Sequence, residues 1–377
     1  MPEAKGVVPD LRFPEFRDAG PWEVKRLGEL VETVTPPKKL QTSDYLPSGK
    51  FPIIDQSPSD VCGWTDDETA MVQADFPLVI FGDHTCVVKL AEGPFAQGAD
   101  GIKILSPTSE LEARFLFLSL QADPVEQKGY KRHFSTLKEK LIPFPKKDTG
   151  EQQKIADCLS SLDDLIRAEE GRLAALRAHK TGLMQRLFPR PGETTPRLRF
   201  PEFRDAGPWE VKRLGDVLAL EYGASLPEDQ RIEGPYSVVG SNGVVGYHNE
   251  PLIDGPAIVI GRKGSAGEIN WIENACFPID TTFYVKLRRP RDRLDFIKSL
   301  LERHRLPDLV STGGVPGLNR DDVHVVRTAV PRHEEQQKIA DCLTSLDDLI
   351  RAQGEAIAAL KAHKTALMQK LFPREVG

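Results

Sequence analysis

Glu151-Gln-Gln-Lys-Ile-Ala-Asp-Cys158 opens the stretch that decides the fold, because it returns as Glu335-Gln-Gln-Lys-Ile-Ala-Asp-Cys342, 184 positions later. The copies stay in step through His179-Lys180-Thr181 and His363-Lys364-Thr365 to Leu187-Phe188-Pro189 and Leu371-Phe372-Pro373. Neither copy holds an internal proline. Pro189 and Pro373 end both at the same point, since a ring without an N–H does not continue a helix. Apolar side chains recur at Ile155, Leu159, Leu162, Ile166, Leu173, Leu176, Leu183 and Leu187, and again at Ile339, Leu343, Leu346, Ile350, Ile357, Leu360, Leu367 and Leu371. Steps of four and three make a heptad seam on a long helix.

Two seam positions in each copy are polar: Glu169 and Lys180 in the first, Gln353 and Lys364 in the second. An antiparallel pairing that sets Glu169 across from Lys364 also sets Lys180 across from Gln353. It brings Ile166 to Leu367, Leu173 to Leu360 and Leu176 to Ile357. A parallel pairing in equal register would oppose Lys180 to Lys364. The expectation is therefore an intramolecular antiparallel coiled coil in that register. The competing arrangement is two separate amphipathic helices, each on its own domain, but a seam of about five heptads exceeds what a short surface helix needs.

A second duplication brackets the first. Leu11-Arg-Phe-Pro-Glu-Phe-Arg-Asp-Ala-Gly-Pro-Trp-Glu-Val-Lys-Arg-Leu-Gly28 recurs unchanged as Leu198 to Gly215. The chain is thus two units, each reading motif, body, helix: 1–150 and 151–189, then 190–334 and 335–377. A long period in two copies is a duplicated half-molecule with a pseudo-two-fold, not a solenoid. The bodies themselves share no evident sequence. Constant flanks suggest that both halves dock the same kind of partner; unlike bodies suggest that each half faces something different. Both bodies read as mixed α/β and strand-rich. Phe76–Phe81, Thr85–Leu90, Ala257–Ile260 and Thr281–Leu287 look like strands, and Leu111–Leu120 and Leu294–Leu301 like helices. Arg190-Pro-Gly-Glu-Thr-Thr-Pro196 is a linker by composition.

Composition narrows the function. With 50 Lys and Arg against 56 Asp and Glu, the net charge is −6, so a nucleic-acid surface would have to be local. No run of eighteen apolar residues predicts a membrane span, and the start lacks the apolar core of a signal peptide. Five cysteines without a Cys-x-x-Cys spacing argue against a disulfide framework or zinc site and for reduced cytoplasm. Cys158 and Cys342 read as small packing residues beside the seam.

The chemistry-bearing stretches are loops. Gly261-Arg-Lys-Gly-Ser-Ala-Gly267 follows a strand but lacks P-loop and dinucleotide spacings. It reads as a turn that brings Arg262, Lys263 and Ser265 to phosphate or a base edge, or else as a tight hairpin with two solvated charges. Ser311–Arg320 ends in a second contact candidate, Arg320. In the first body, Lys128-Gly-Tyr-Lys-Arg-His-Phe134 mixes basic and aromatic side chains, which suits a nucleic-acid surface; Tyr130, Lys131 and Arg132 are its candidates. His84 beside Asp83 reads as a hydrogen-bonded turn rather than a catalytic pair. Asp163-Asp164 and Asp347-Asp348 read as solvated helix faces, and His179 and His363 have no metal-ligand spacing. No nucleophile–base set, metal cluster or nucleotide motif emerges, so the default is a binding protein.

Together these stretches resemble the specificity (S) subunit of type I restriction–modification systems, over nearly the whole chain. The resemblance rests on the two Leu-Arg-Phe-Pro-Glu-Phe…Trp-Glu-Val-Lys-Arg-Leu-Gly openings and on the paired Glu-Gln-Gln-Lys-Ile-Ala helices. Gly240-Ser-Asn-Gly-Val-Val-Gly246, Gly261–Gly267, Pro278-Ile-Asp-Thr-Thr-Phe-Tyr284 and Pro316-Gly-Leu-Asn-Arg320 add to it. The first body matches less closely. It has Gly82-Asp83-His84 where the second has its Gly-Arg-Lys-Gly turn, and Lys138-Glu-Lys-Leu141 where the second has Asn319-Arg-Asp-Asp322. The family implies that 1–150 and 190–334 hold target recognition domains, each reading one half of a split double-stranded DNA sequence. It implies that the helices are the spacer, that two methyltransferase subunits dock on the repeats, and that restriction subunits join them. S-adenosylmethionine, ATP and Mg²⁺ would belong to those partners, and this chain would bind no cofactor and catalyse nothing. Arg262, Lys263, Ser265 and Arg320 in the second body, and His84, Tyr130, Lys131 and Arg132 in the first, are the expected DNA contacts, with Arg suited to guanine and Lys to phosphate. The rival reading is a coiled-coil adaptor that joins proteins without reading DNA, which the acidic net charge favours and the divergent bodies disfavour.

Overall fold

A computed structural model describes residues 6–99, 101–129, 131–311 and 317–373. The chain divides into two compact units: the chain up to Glu170 together with the chain from Glu355, and Gly171–Gly354. Two helices are long, α4 (Glu151–Leu187, 37 residues) and α8 (His333–Leu371, 39 residues). Each unit takes the N-terminal part of one and the C-terminal part of the other. No helix among the described residues is long and apolar enough to cross a membrane.

The first unit runs β1 (Glu23–Arg26), α1 (Leu27–Leu30), β2 (Val31–Val34), β3 (Phe51–Ile54), β4 (Gly63–Thr65), β5 (Leu78–Gly82), β6 (Val88–Ala91), β7 (Ala96–Gln97), β8 (Ile102–Pro107), α2 (Ala113–Ala122), α3 (Phe134–Glu139) and β9 (Leu141–Phe144). Its strands form a sheet in the order β2-β8-β5-β6, a smaller one β4-β3-β7, and the ribbon β1-β9. β5 is buried at every position, which is why it reads as an unbroken apolar run rather than an alternation. β6 starts later than its apolar pattern suggests, because Cys86 sits in the left-handed region (φ 56°) and ends a turn there.

The second unit repeats this plan with β10 (Glu210–Arg213), α5 (Leu214–Val217), β11 (Leu218–Tyr222), β12 (Tyr236–Gly240), β13 (Gly243–His248), β14 (Ala257–Gly261), β15 (Ile269–Ile272), β16 (Cys276–Pro278), β17 (Thr282–Leu287), α6 (Leu294–Arg303), α7 (Arg320–His324) and β18 (Arg327–Val330). Its sheets are β11-β17-β14-β15, β13-β12-β16 and β10-β18. The bodies that share no evident sequence therefore share one topology, strand for strand.

The sequence repeats explain themselves as an internal interlock. In the first unit Arg12 donates from Nε and Nη2 to the two oxygens of Glu151 (2.7 and 2.6 Å) and from Nη1 to Gly20 O (2.6 Å). In the second, Arg199 does the same to Glu335 (2.7 and 2.7 Å) and Gly207 O (2.7 Å). Next along each helix, Gln152 donates to Pro145 O and Glu110 O, and Gln336 to Pro331 O and Asp292 Oδ1. Ile155 and Ala156, like Ile339 and Ala340, enter the core. The closing Leu-Phe pairs plug the same cores: Phe372 lies against Trp22 and Phe115, and Phe188 against Trp209 and Phe296. Glu-Gln-Gln-Lys-Ile-Ala and Leu-Phe-Pro are thus the two ends of one lock, made twice.

Within each unit the helical segments lie antiparallel. In the first, Lys364 Nζ donates to both oxygens of Asp163 (2.6 and 2.7 Å) and Lys361 pairs with Glu170 (2.6 Å). In the second, Lys180 Nζ donates to Asp347 (2.5 Å). This corrects the register expected from the polar breaks: the lysines meet aspartates six positions away from Glu169 and Gln353. The register is set by the ends, where Leu367 and Leu371 pack with Ile155, Leu159 and Leu162, and Leu183 and Leu187 with Ile339 and Leu343. It also corrects the reading of the Asp-Asp pairs, since Asp163 and Asp347 are ion-pair partners of half-buried lysines; Asp164 and Asp348 are exposed.

Glu335 and Arg199 side chains are 2% and 8% exposed, so R199A strands a buried carboxylate. It should destabilise the second unit by about 3–5 kcal/mol and leave the first unchanged. Urea unfolding read at tryptophan, with Trp209 and Trp271 replaced in one set and Trp22 and Trp64 in the other, separates the two transitions. His324 Nε2 accepts the Leu220 N–H (3.1 Å), tying α7 to β11. Burial, with the nearby charge of Arg320, holds its pKa below the ordinary 6.5. A depressed histidine contributes stability that is complete above about pH 6.5 and lost as pH falls toward its folded pKa. His304 is depressed in the same direction by burial and by Arg303, so the measurement is a difference: H324Q should unfold with a weaker acid dependence between pH 7 and 5 than the wild type.

Candidate nucleic-acid interface

The described contact candidates of the second unit collect at one end of its larger sheet. β14 ends in Gly261, whose loop turns back at once: Gly267 N donates to Gly261 O, and Arg262 and Lys263 N–H groups both donate to Thr281 O. Only glycine fits there. A Cβ on Gly261 would lie 2.1 Å from Ser265 O and one on Gly267 2.5 Å from Pro307 N; Gly264 and Gly267 have φ of +74° and +86°. Leu318 N donates to Arg262 O, which lays the chain before α7 alongside this loop. Asn319 caps α7 by accepting from Asp321 N (2.9 Å), and Arg320 is the first helical residue.

Arg262 and Arg320 consequently meet over one ring. Their guanidinium carbons stand 5.2 and 5.4 Å from the centroid of Tyr222, and Arg262 is 5.9 Å from that of Phe283. Arg262 donates from Nε and Nη2 to Asp280 O (3.2 and 2.7 Å). Arg320 Nε is shielded from solvent without a hydrogen-bond partner among the described residues, the Asp321 carboxylate lying 3.5 Å off. Lys263 is exposed at the rim and Ser265 half-buried within the turn. Ser241, at the end of β12, donates to Thr281 O (2.7 Å) and closes the same edge.

The first unit builds this edge from the same elements and unlike side chains. Gly82 ends β5 as Gly261 ends β14, so Asp83 occupies the place of Arg262. Asp83 is 4% exposed; its Oδ1 accepts from the N–H groups of His133 (2.9 Å) and Phe134 (2.8 Å) and so caps α3. His84 therefore belongs to a turn, with its N–H on Gln56 Oε1 (3.3 Å) and its carbonyl receiving Gln127 Nε2 (2.9 Å). Lys131 and Arg132 are exposed immediately before α3, on the same end as His84. Tyr130 lies outside the described residues.

One alignment between the bodies is corrected. Gly28 packs against Lys138 and Gly215 against His324, so Lys138 corresponds to His324, not to Asn319. His133 corresponds to Asn319, and Phe134 to Arg320. Strand pairing likewise matches Lys103 to Phe283. This edge of the first unit also carries cation–aromatic contacts, made between other positions: Lys103 and Lys138 stand 5.3 and 5.4 Å from the Phe134 ring. Sequence reasoning missed Tyr222 and Lys103 and noted Phe283 only as part of the Pro278–Tyr284 and Thr281–Leu287 stretches. The available signal was an aromatic residue closing an alternating strand beside Gly223.

The family model for the type I restriction modification DNA specificity domain matches residues 20–178 and 207–362. The chain is 22% identical, over 97% of its length and 94% of the relative's, to the type I restriction enzyme MjaVIII specificity subunit of Methanocaldococcus jannaschii. It is 26% identical to the EcoprrI specificity subunit of Escherichia coli, over 38% of this chain and 37% of that one. In fold it is similar to the crystal structure of a type I restriction-modification system S subunit from M. genitalium, with a TM-score of 0.71 and 18% identity over 98% of this chain and all of that one. A structure from a type I R-M system assembly matches with a TM-score of 0.54 and 19% identity, over 93% of this chain and 97% of the other. With two copies of the matching domain, one in each half, this chain belongs to the type I restriction modification DNA specificity family.

Proposed function

We propose that this chain is the sequence-reading subunit of a type I restriction–modification complex, each unit recognising one half of a bipartite, asymmetric double-stranded DNA target. One observation carries the reading. The two units share a frame, strand for strand, and differ at the loop ends beyond it: Arg262, Lys263 and Arg320 against Asp83, His84 and Phe134. A frame kept constant while its tips diverge suits two modules that read different sequences by the same mode of approach.

In this reading two methyltransferase subunits dock on the repeated elements. Leucines exposed at equivalent places support it: Leu11 and Leu198 (40% and 38%), and Leu165 and Leu349 (42% and 53%). Restriction subunits join that assembly. Methylation of adenine and ATP-driven cleavage are the partners' work, with S-adenosylmethionine, ATP and Mg²⁺ bound there, and the complex acts in the cytoplasm on chromosomal and incoming DNA. The long helices serve as the spacer between half-sites.

The test is methylation mapping by single-molecule sequencing of DNA from cells expressing this chain with its methyltransferase subunit. A split motif with a methyladenine in each half, lost on deletion of this chain, is the expected result; a pattern indifferent to the deletion sinks the reading in favour of a protein adaptor. R262A should relax one base position of one half-site and spare the other half, whereas uniform weakening would make Arg262 a phosphate contact. Inserting one heptad into both helices adds roughly 10 Å and should lengthen the gap by about three base pairs without altering either half-site.

A further inference from the structure

Tyr222 is an unusual residue to leave in water beside two arginines. It is 51% exposed, and its ring carries both guanidinium groups that the second unit brings to its outer edge. Its own position is fixed. Phe283, paired with it across the strands and 1% exposed, lies 5.0 Å from it, centroid to centroid. The next residue, Gly223, is held by its N–H on Thr282 O, and a Cβ there would lie 2.2 Å from Ile279 O. The ring is thus a platform rooted in the core of the unit.

Arginine side chains carry about 2 kcal/mol of rotamer entropy, so a guanidinium that is already stacked approaches a ligand at lower cost. Arg262 spends its Nε hydrogen and one Nη2 hydrogen on Asp280 O. Of its five donors, the two Nη1 hydrogens and the second Nη2 hydrogen remain without a partner among the described residues, and they form the end-on fork that fits O6 and N7 of guanine. Arg320 meets the same ring with its Nε lacking a hydrogen-bond partner among the described residues. Two like charges share one ring, with the Asp321 carboxylate 3.5 Å from Arg320 as their ion-pair partner among the described residues, and call for an acceptor-rich ligand. Guanine edges and backbone phosphates share that chemistry. The fork geometry and the aromatic backing favour guanine, because a phosphate contact needs neither.

Resting on the DNA-reading function proposed above, we infer that Tyr222 is the positioning residue that holds Arg262 and Arg320 as one guanine-reading pair. The half-site read by the second unit accordingly contains guanine where these arginines reach. The first unit has no arginine at either equivalent place, only Asp83 and Phe134, and does not read guanine from these positions.

The experiment maps methylation by the complete complex carrying wild-type chain, R262A, R320A, Y222A, Y222F, or the double variant R262K with R320K. The expected result is a guanine in one half-site whose discrimination falls about 10–100-fold in R262A, R320A and Y222A. Y222F keeps the motif because the ring remains. The lysine double variant loses it, although the charge remains. The untouched half-site is the internal control for folding, and if Y222A fails to assemble, Y222L, which keeps the apolar bulk over Phe283, takes its place. Relaxation in the arginine variants with an intact motif in the tyrosine variant would remove Tyr222 from the pair and leave the DNA-reading function standing. Weaker methylation with the motif intact in every variant would make the arginines a phosphate clamp. Relaxation at a base other than guanine would overturn the assignment of the base. Unchanged motif and unchanged activity in all variants would take this edge out of the interface altogether and count against the proposed function itself.

Discussion

A buried arginine–glutamate pair, made once in each unit, is the constraint on which the rest of the structure depends. Arg12 and Arg199 stand in the opening motifs; Glu151 and Glu335 stand in the first turn of α4 and at the third residue of α8. Taking these charges out of water costs several kcal/mol per ion. The cost is offset by bidentate geometry, by a third bond to a glycine carbonyl, and by the helix N-terminus, which favours a carboxylate. What the pair secures is orientation. It fixes the angle at which the long helix leaves the body, and the glutamine beside it fixes the loop beneath. With the base of each body held this way, the outer loop ends can differ between the units.

That division of labour explains why the repeats are identical and the bodies are not. The identical stretches include the residues that meet one another across the lock: Trp22 and Phe372, Trp209 and Phe188, and the two ion pairs. The outer edge obeys only backbone rules. A glycine ends the central strand, a capped helix begins opposite, and the side chains between are free to be Asp83 and Phe134 or Arg262 and Arg320. Asp83 shows how far that freedom extends, since the carboxylate serves its own unit as a helix cap where the arginine of the other reaches outward.

Legibility in the sequence followed the range of the interaction. The helices were readable because a heptad is a local pattern and the copies confirm each other. The strands β5, β14 and β17 were readable from their apolar or alternating runs. The shared topology of the bodies was not, because strand order is a long-range property that unlike sequences satisfy equally. The helix register was misjudged for the same reason: matching Glu169 to Lys364 uses the seam alone, whereas the pairing is decided by Leu371 and Phe372 entering a core built from Trp22 and Phe115. Arg262 and Arg320 could be named singly, but Tyr222 acquires its role only when a strand end, a glycine turn and a helix start converge.

The nesting of the units bears on how the polypeptide matures on the ribosome. Gly171–Gly354 is continuous, so the inner unit has all of its parts once that stretch has emerged. The outer unit does not. Trp22 and Phe115 wait for Phe372, the core around Ile155 and Leu159 waits for Leu367 and Leu371, and Asp163 waits for Lys364. The part translated first is therefore the part finished last, and its apolar seat stays open throughout synthesis of the inner unit. A nascent chain of this design presents a hydrophobic cleft for most of its elongation. Chaperone occupancy during translation should accordingly fall on the first half of the chain rather than the second.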